Sequence, residues 1–380
     1  MLAADYDFSK AVDYHYGRFP PANIDFQRVL DPVSRAATAL ARYDTILQTL
    51  HKSDLLLAPL RRREAVISSR IEGTVATLDE VMELEAEEDD DDIGEPVQRH
   101  SSAAVEVLAY TRALYQAQRE MADGLPISGR IIRSAHKRLL STGRGSEKRP
   151  GEFKEDQNYI VDKTTKKVLF VPADPLRFPD LFGRLEAYIN DDNLNPLLQA
   201  AISHVEFEAL HPFKDGNGRV GRMLVTLMLW SRGLISSPHF YVSGQFEAMK
   251  DEYIDRMRYV SERNEWTEWC IFFLQALSVQ AEENINTAQN ITGLYNEMKR
   301  TFAEVTRSRW ATTALDYIFS KAIFRNSAFV HDAGIPPQTA HRITNALAER
   351  GILTQLRSPA GRRSALFAFE PLLKLVRPKP

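Results

Sequence analysis

His211, Asp215, Asn217, Arg219 and Arg222 fall in one run of twelve residues, His211-Pro212-Phe213-Lys214-Asp215-Gly216-Asn217-Gly218-Arg219-Val220-Gly221-Arg222. An imidazole titrates near neutral pH and can take a proton from an attacking hydroxyl. A carboxylate is a hard oxygen ligand, suited to a Mg²⁺ ion that keeps most of its waters and bridges to phosphates. Gly216 and Gly218 let the chain turn sharply and leave its amides open to close approach. Arg219 and Arg222, three apart on one helical turn, lean the same way, and their planar forks match phosphate oxygens. A lone His–Pro pair is usually structural, and D-G-N-G alone is an ordinary turn. Base, acid, glycines, amide and arginines in this order instead describe a phosphate-handling site with a nucleotide as substrate. Phe213 is expected to anchor the loop.

The elements that must hold this run are two buried helices. Leu197 to Leu210 is almost continuously apolar, and Leu198, Ala201, Ile202, Val205 and Ala209 recur at helical spacing. Pro212 disfavours helical geometry at His211, so that helix should stop there. A second pattern opens at about Arg219, runs through Val220, Leu224, Leu227 and Met228, and ends near Gly233. Unpaired amides at its start would face the loop, where the helix dipole favours an anion.

A second candidate lies upstream. Arg61-Arg62-Arg63-Glu64-Ala65-Val66-Ile67-Ser68-Ser69-Arg70-Ile71-Glu72-Gly73-Thr74 reads as a helix stopped by Gly73, and Thr77-Leu78-Asp79-Glu80 as a capping box opening the next. Glu72 would sit in a last turn, where a carboxylate opposes the helix dipole at a cost of roughly 0.3–1 kcal/mol. A buried arginine is its natural partner.

Arg149-Pro150-Gly151-Glu152-Phe153 leads into two β-rich runs, Gln157 to Val161 and Val168 to Pro172, around a polar turn. An isolated hairpin needs packing support, and its open edge could accept an extended peptide as an added strand. Trp266, Trp269, Cys270, Phe272, Phe273 and Leu274 read as helix core.

Length and composition bound the rest. A chain of 380 residues with 44% apolar content should hold two or three domains with well-formed cores. No stretch is long and apolar enough to span a membrane. Met1 to Asp7 lacks a basic region followed by an apolar one, so no secretory leader is expected. The single cysteine, Cys270, forms no internal disulfide and fits a reducing cytoplasm. The net charge of −3 is uneven: from Val305 onward twelve basic residues face four acidic ones. Glu87-Glu88-Asp89-Asp90-Asp91-Asp92 is read as a solvated linker.

From about Arg307 the pattern gives three helices and a hairpin. Ala314, Leu315, Ile318 and Phe319 mark the first helix, Ser327 to Ala333 the second, and Ala340, Ile343 and Leu347 the inner face of the third. Ile352 to Leu356 and Ser364 to Phe369 flank the turn that carries Arg362 and Arg363.

The central run resembles the signature of the Fic family, H-x-F-x-[D/E]-G-N-G-R-x-x-R, at every specified position. The resemblance implies an enzyme that moves AMP from ATP to a Tyr, Thr or Ser hydroxyl of a target protein, the enzyme itself being one such target, and releases pyrophosphate. It implies that His211 deprotonates the hydroxyl and Asp215 holds Mg²⁺ against the α- and β-phosphates. Asn217 and the loop around Gly216, Gly218, Val220 and Gly221 would hold the phosphate chain, with Arg219 and Arg222 at its distal end. Ser68-x-x-x-Glu72-Gly73 resembles the family's inhibitory motif, [S/T]-x-x-x-E-[G/N]. That implies a brake in which Glu72 pairs with Arg222 and blocks productive ATP binding; in some relatives the glutamate would also serve AMP removal.

The hairpin is similar to the family's flap, with Asn158, Tyr159, Ile160, Val161, Leu169, Phe170 and Val171 aligning the target. Tyr241, Tyr253 and Ile254 resemble positions that line the nucleobase pocket, though Tyr241 fits core packing equally well. The C-terminal pattern resembles a winged helix-turn-helix domain. Gln338, Thr339, His341, Arg342 and Asn345 would face DNA from the third helix and Arg362 and Arg363 from the wing; protein docking or dimerisation is the other use of such a domain, and a homodimer is compatible with it. The expected architecture is mainly α: an N-terminal segment with the inhibitory helix (1–95), a helical Fic core with one hairpin (96–290) and the winged helix (305–380). The competing function is a DNA-bound regulator whose Fic site senses nucleotide.

Overall fold

The computed structural model describes residues 6–50, 52–89, 101–143, 145–162, 164–361 and 363–378. The acidic residues Asp90, Asp91 and Asp92 and the wing residue Arg362 lie outside the described residues. In chain order the elements are β1 (Val12–Asp13), α1 (Phe26–Thr49), α2 (Ser53–Leu56), α3 (Ala58–Ile71), α4 (Leu78–Glu88), α5 (Ser102–Ala122), α6 (Gly129–Leu139), β2 (Ile160–Val161), β3 (Val168–Val171), α7 (Phe178–Ile189), α8 (Pro196–Leu210), α9 (Asn217–Ser231), α10 (Ser243–Ala248), α11 (Lys250–Arg263), α12 (Trp266–Thr306), α13 (Ala311–Lys321), β4 (Ile323–Arg325), α14 (Asn326–Asp332), α15 (Pro337–Glu349), β5 (Thr354–Arg357), β6 (Leu366–Ala368) and α16 (Glu370–Val376). The fold is mainly helical, with two small sheets.

Two compact units form: Met1–Asp44 with Arg112–Glu282, and Thr45–Thr111 with Glu283–Pro380. Both are discontinuous in sequence, so neither coincides with a linear division at 95 and 305.

The first unit is built around α8. That helix opens on an Asn195 cap, whose side chain accepts from the amides of Leu197 and Leu198, with Pro196 in its first turn. It is buried on nearly every side, as a helix apolar all round must be. Helices α7, α9 and α11 pack against it. Trp266, Trp269, Cys270, Phe272, Phe273 and Leu274 of α12 are buried as expected, and the Trp269 indole N–H donates to the Ala201 carbonyl across 2.7 Å. The buried Glu206 carboxylate on α8 is paired. Glu206 accepts from the Tyr14 hydroxyl at 2.6 Å and meets His15 Nε2 at 2.7 Å.

The expected hairpin is present, but it is part of a three-stranded sheet in the order β1-β3-β2. β2 pairs antiparallel with β3, and β1 runs parallel to the other edge of β3, matching Val12 with Phe170 and Asp13 with Val171. The edge of β3 is therefore closed by the N-terminal strand, and β2 is the outer strand on the hairpin side. This supplies the packing support that a lone hairpin lacks.

The second unit joins α3 and α4 to the C-terminal elements. Thr77 caps α4 in a full capping box with Glu80, as its sequence predicts. Helices α13, α14 and α15 appear where apolar spacing places them, and β4, β6 and β5 form an antiparallel sheet in that order. The acidic segment departs from expectation. Glu87 is not in a solvated linker: it is the penultimate residue of α4, buried, and paired with Arg325 at 3.2 Å and with Arg357. Glu83 also meets Arg357, Asp79 meets Arg377, and Asp89 meets Lys321. A stripe of acids along α4 thus answers basic residues of the C-terminal elements.

Candidate functional site

Within the first unit, α8 delivers His211 and α9 begins six residues later. The helix leaves α geometry at His211, which takes φ 49° and ψ 63° as the C-cap. A left-handed backbone costs a non-glycine residue roughly 1–2 kcal/mol, and Pro212 explains why the helix cannot run on through His211. The His211 amide still donates to the Phe207 carbonyl at 3.1 Å. Its ring Nδ1 lies 3.3 Å from the Glu208 carbonyl. A carbonyl only accepts, so Nδ1 carries the proton in the neutral ring and Nε2 is the basic nitrogen.

Asp215 is half-buried at the turn, and its Oδ1 accepts from the Gly216 amide at 2.6 Å. Arg219 Nη2 stands 3.5 Å from the same oxygen. Gly216 is the N-cap of α9 with φ 79°, a conformation glycine takes without strain. A fifteen-residue helix therefore starts at the loop, and by helix geometry its first amides have no intrahelical acceptor. Arg219 and Arg222 are both about 1% exposed, and Gly218 is half-buried. Asp215 fits a metal that draws most of its ligands from water and phosphate. Among the described residues no three His, Cys, Asp or Glu side chains converge on one point. Gly145 helps keep that carboxylate approachable, since a Cβ there would stand 3.3 Å from Asp215 Oδ2.

Three residues of the run have structural roles in the loop and helix. The Asn217 side chain is 2% exposed and closes on Phe213, accepting from its amide and donating to its carbonyl, both at 2.8 Å. It clamps the loop. Val220 is buried core. Gly221 lets α9 press on α8: a Cβ there would meet Glu208 Oε1 at 2.2 Å, and its carbonyl faces His204 Nδ1 at 3.2 Å. Phe213 is fully buried, as an anchor should be.

Sequence reasoning missed His136, on α6. Its ring lies flat on Phe213, with centroids 3.6 Å apart and planes 6° apart. Nδ1 accepts from the Gly151 amide at 2.9 Å, which leaves Nε2–H to donate to the Asp215 carbonyl at 2.9 Å. Burial pushes its pKa down to about 4, so the neutral ring that makes both bonds is the form present. No local pattern marks this residue; a histidine on the inner face of an amphipathic helix is the only trace it leaves.

Next to the loop a cavity of about 180 Å³ opens between the hairpin, α8 and α11. Ile160, Leu169 and Phe170 come to it from the hairpin, Val205 and Ala209 from α8, and Ile254 and Arg258 from α11. Two sets of residues read separately in the sequence meet here. Tyr253 does not line it: it is 2% exposed, stacks on Phe246 and donates its hydroxyl to His204 at 2.8 Å. Tyr241 is likewise buried, near His239. Tyr253 faces inward because α10 and α11 pack on the aromatic cluster of α12. Asn158 turns away from any docking edge and donates to the carbonyls of His211 and Phe213. Tyr159 packs its ring on Phe8, Val161 pairs with Val168, and Val171 receives the Tyr14 amide on its carbonyl.

The remaining candidates belong to the second unit. Ser68 is fully buried in α3, Glu72 is its exposed C-cap and Gly73 follows with φ 86°. On α15, Gln338, His341, Arg342 and Asn345 are exposed and Thr339 half-buried. His341, Asn345 and Arg363 border an open groove of about 900 Å³ beside α14. The local positive charge is smaller than the residue count suggests, because Lys321, Arg325, Arg357 and Arg377 are spent on α4.

Residues 30–119 match the Fic/DOC family N-terminal region and residues 126–229 match the Fic/DOC family, so the chain carries Fic/DOC family domains. It is 24% identical over 266 residues to a probable protein adenylyltransferase of Aquifex aeolicus, covering 70% of this chain and 73% of that one. A protein adenylyltransferase Fic of Drosophila virilis is 29% identical over 143 residues, 37% of this chain. The match spans only 27% of that relative's length. Among solved structures, a Fic family protein from Desulfovibrio desulfuricans superposes with TM-score 0.59 at 21% identity, covering 92% of this chain and 98% of that one. A Fic domain signalling protein from Bacteroides thetaiotaomicron gives 0.53 at 22%, over 67% of this chain and 96% of its own. These two likenesses show the shared fold.

Proposed function

We propose, from the premise that this chain carries Fic/DOC family domains, that it transfers AMP from ATP to a hydroxyl of a target protein and releases pyrophosphate. The observation that carries the reading is the placing of a basic His211 Nε2 beside a loop whose far side is the start of α9. Such a helix start receives phosphate through its amides and dipole. Arg219 and Arg222 would hold the distal phosphates, and Asp215 would hold Mg²⁺. That ion, when bound, offsets charge on the phosphates. His211 takes the proton from the incoming hydroxyl as it attacks the α-phosphorus, and pyrophosphate leaves. The cavity formed by Ile160, Leu169, Phe170 and Ile254 is apolar, of the kind that receives a nucleobase or a target side chain. The relatives' names support the reaction class.

Glu72 serves as the brake. It competes with the γ-phosphate for Arg222, so the resting enzyme binds ATP poorly. Labelled ATP incubated with wild type, Glu72→Gly and Glu72→Gly/His211→Ala tests both parts. Strong labelling by the single variant, little by wild type and none by the double variant is expected. Equal labelling by wild type and Glu72→Gly removes the brake.

A second reading, a DNA-bound regulator that senses nucleotide, draws on the exposed polar face of α15. We read α13 to β6 as a winged helix on element order alone. Nucleotide-dependent DNA binding without any protein labelling would favour that reading.

A further inference from the structure

The backbone from Leu210 to Phe213 has four carbonyls in a row, at a helix end where carbonyls lose their intrahelical partners. Two residues four apart in sequence meet all of them. Lys154 Nζ donates to the Leu210 carbonyl at 2.8 Å, and the Lys154 amide to the Pro212 carbonyl at 2.8 Å. Asn158 Nδ2 donates to the carbonyls of His211 at 2.9 Å and Phe213 at 3.0 Å. Lys154 Nζ also donates to Asn158 Oδ1 at 3.1 Å, which fixes the way that amide points.

We propose that Lys154 and Asn158 are positioning residues that hold His211 in its left-handed conformation and so aim its ring at the incoming hydroxyl. The inference rests on His211 as the base of AMP transfer. Neither side chain touches the reacting atoms; both act through the backbone. Lys154 is 4% exposed, and its ammonium lies 5.7 Å from the Phe178 ring. Burying an amine is costly, and a methionine would fill the same space without that cost. What an amine supplies here and a methionine does not is a set of donors aimed at Leu210 and Asn158. A residue forced to φ 49° relaxes when its carbonyls are released, and a base displaced by about 1 Å loses on the order of 100-fold in rate.

The test places Lys154→Met, Lys154→Arg and Asn158→Ala in the Glu72→Gly background. Rates, ATP affinity measured by calorimetry, and exchange of the His211 and Phe213 amides are read in each. Lys154→Met and Asn158→Ala should lower kcat by about 10- to 100-fold while the Kd for ATP stays within about threefold. Lys154→Arg should restore most of the rate, and the two amides should exchange faster in the Met and Ala variants only. Unchanged kcat in both, or a loss that tracks ATP affinity and is not restored by arginine, overturns the proposal. Absence of any His211-dependent transfer in the Glu72→Gly parent would instead refute the enzyme reading. Amide exchange then still decides the clamp: faster exchange supports it, and exchange equal to the parent's sinks it.

Discussion

His136 holds Asp215 by its backbone: Nε2–H donates to the Asp215 carbonyl across 2.9 Å, so α6 sets the orientation of the peptide that carries the Asp215 carboxylate. The same ring accepts from Gly151, the residue that starts the approach to the hairpin. One imidazole thus ties together the loop at Asp215 and the segment that leads to the hairpin.

Replacing that ring tests the tie. His136→Phe keeps the stack on Phe213 and removes both hydrogen bonds, leaving a buried carbonyl and a buried amide unmet. A stability loss of about 2–4 kcal/mol is expected from urea unfolding. His136→Gln offers one donor and one acceptor and should lose clearly less. Equal losses for the two would show that only the volume of the ring matters.

Acid should weaken the first unit through two neutral histidines. His204 is held down to about 3 by burial and by the neighbouring Arg222 guanidinium, and His136 to about 4 by burial. The unfolded chain binds these protons near pH 6.5 and the folded chain does not. Their stability is therefore whole above pH 6.5 and is lost progressively as pH falls toward 4. Each histidine contributes a slope of up to about 1.4 kcal/mol per pH unit. Urea midpoints between pH 7 and 4.5 should fall less steeply in His204→Gln than in wild type; parallel curves would contradict the assignment.

The Arg325–Glu87 pair makes a prediction in the second unit. Both side chains are nearly inaccessible, at 1% and 2%. Glu87→Gln leaves Arg325 buried without its full counter-charge and should cost about 3–5 kcal/mol. Glu155→Gln, which removes an exposed partner of Arg149, should leave unfolding unchanged. Comparable effects from the two substitutions would mean that α4 is not fastened through Glu87.

Much of this was legible in the residues themselves. Pro212 after His211, Gly73 after Glu72 and the Thr77–Glu80 box are local rules, and each marks a helix boundary that the structure contains. The buried α8 followed from an almost continuous apolar run. What was not legible is long-range. β1 is two residues long and is a strand only because β3 lies beside it. β4 and α16 are too short for periodicity to register. Glu87 read as solvated because an acidic run carries no sign of the arginines that meet it from more than two hundred residues away. Tyr253 and Ile254 are neighbours in sequence, and helical geometry alone sends one into the core and the other to the cavity wall. His136 and Lys154 act on backbone groups, which leave no residue-type signature at all.

In the proposed reaction the α-phosphate moves to protein while the outer phosphates leave. Parallel incubations of Glu72→Gly with ATP labelled at the α- or at the γ-phosphate separate this from every other use of the loop. Label on protein from the α-position only, lost in Glu72→Gly/His211→Ala, is the predicted result. Label from the γ-position, or from neither, contradicts it.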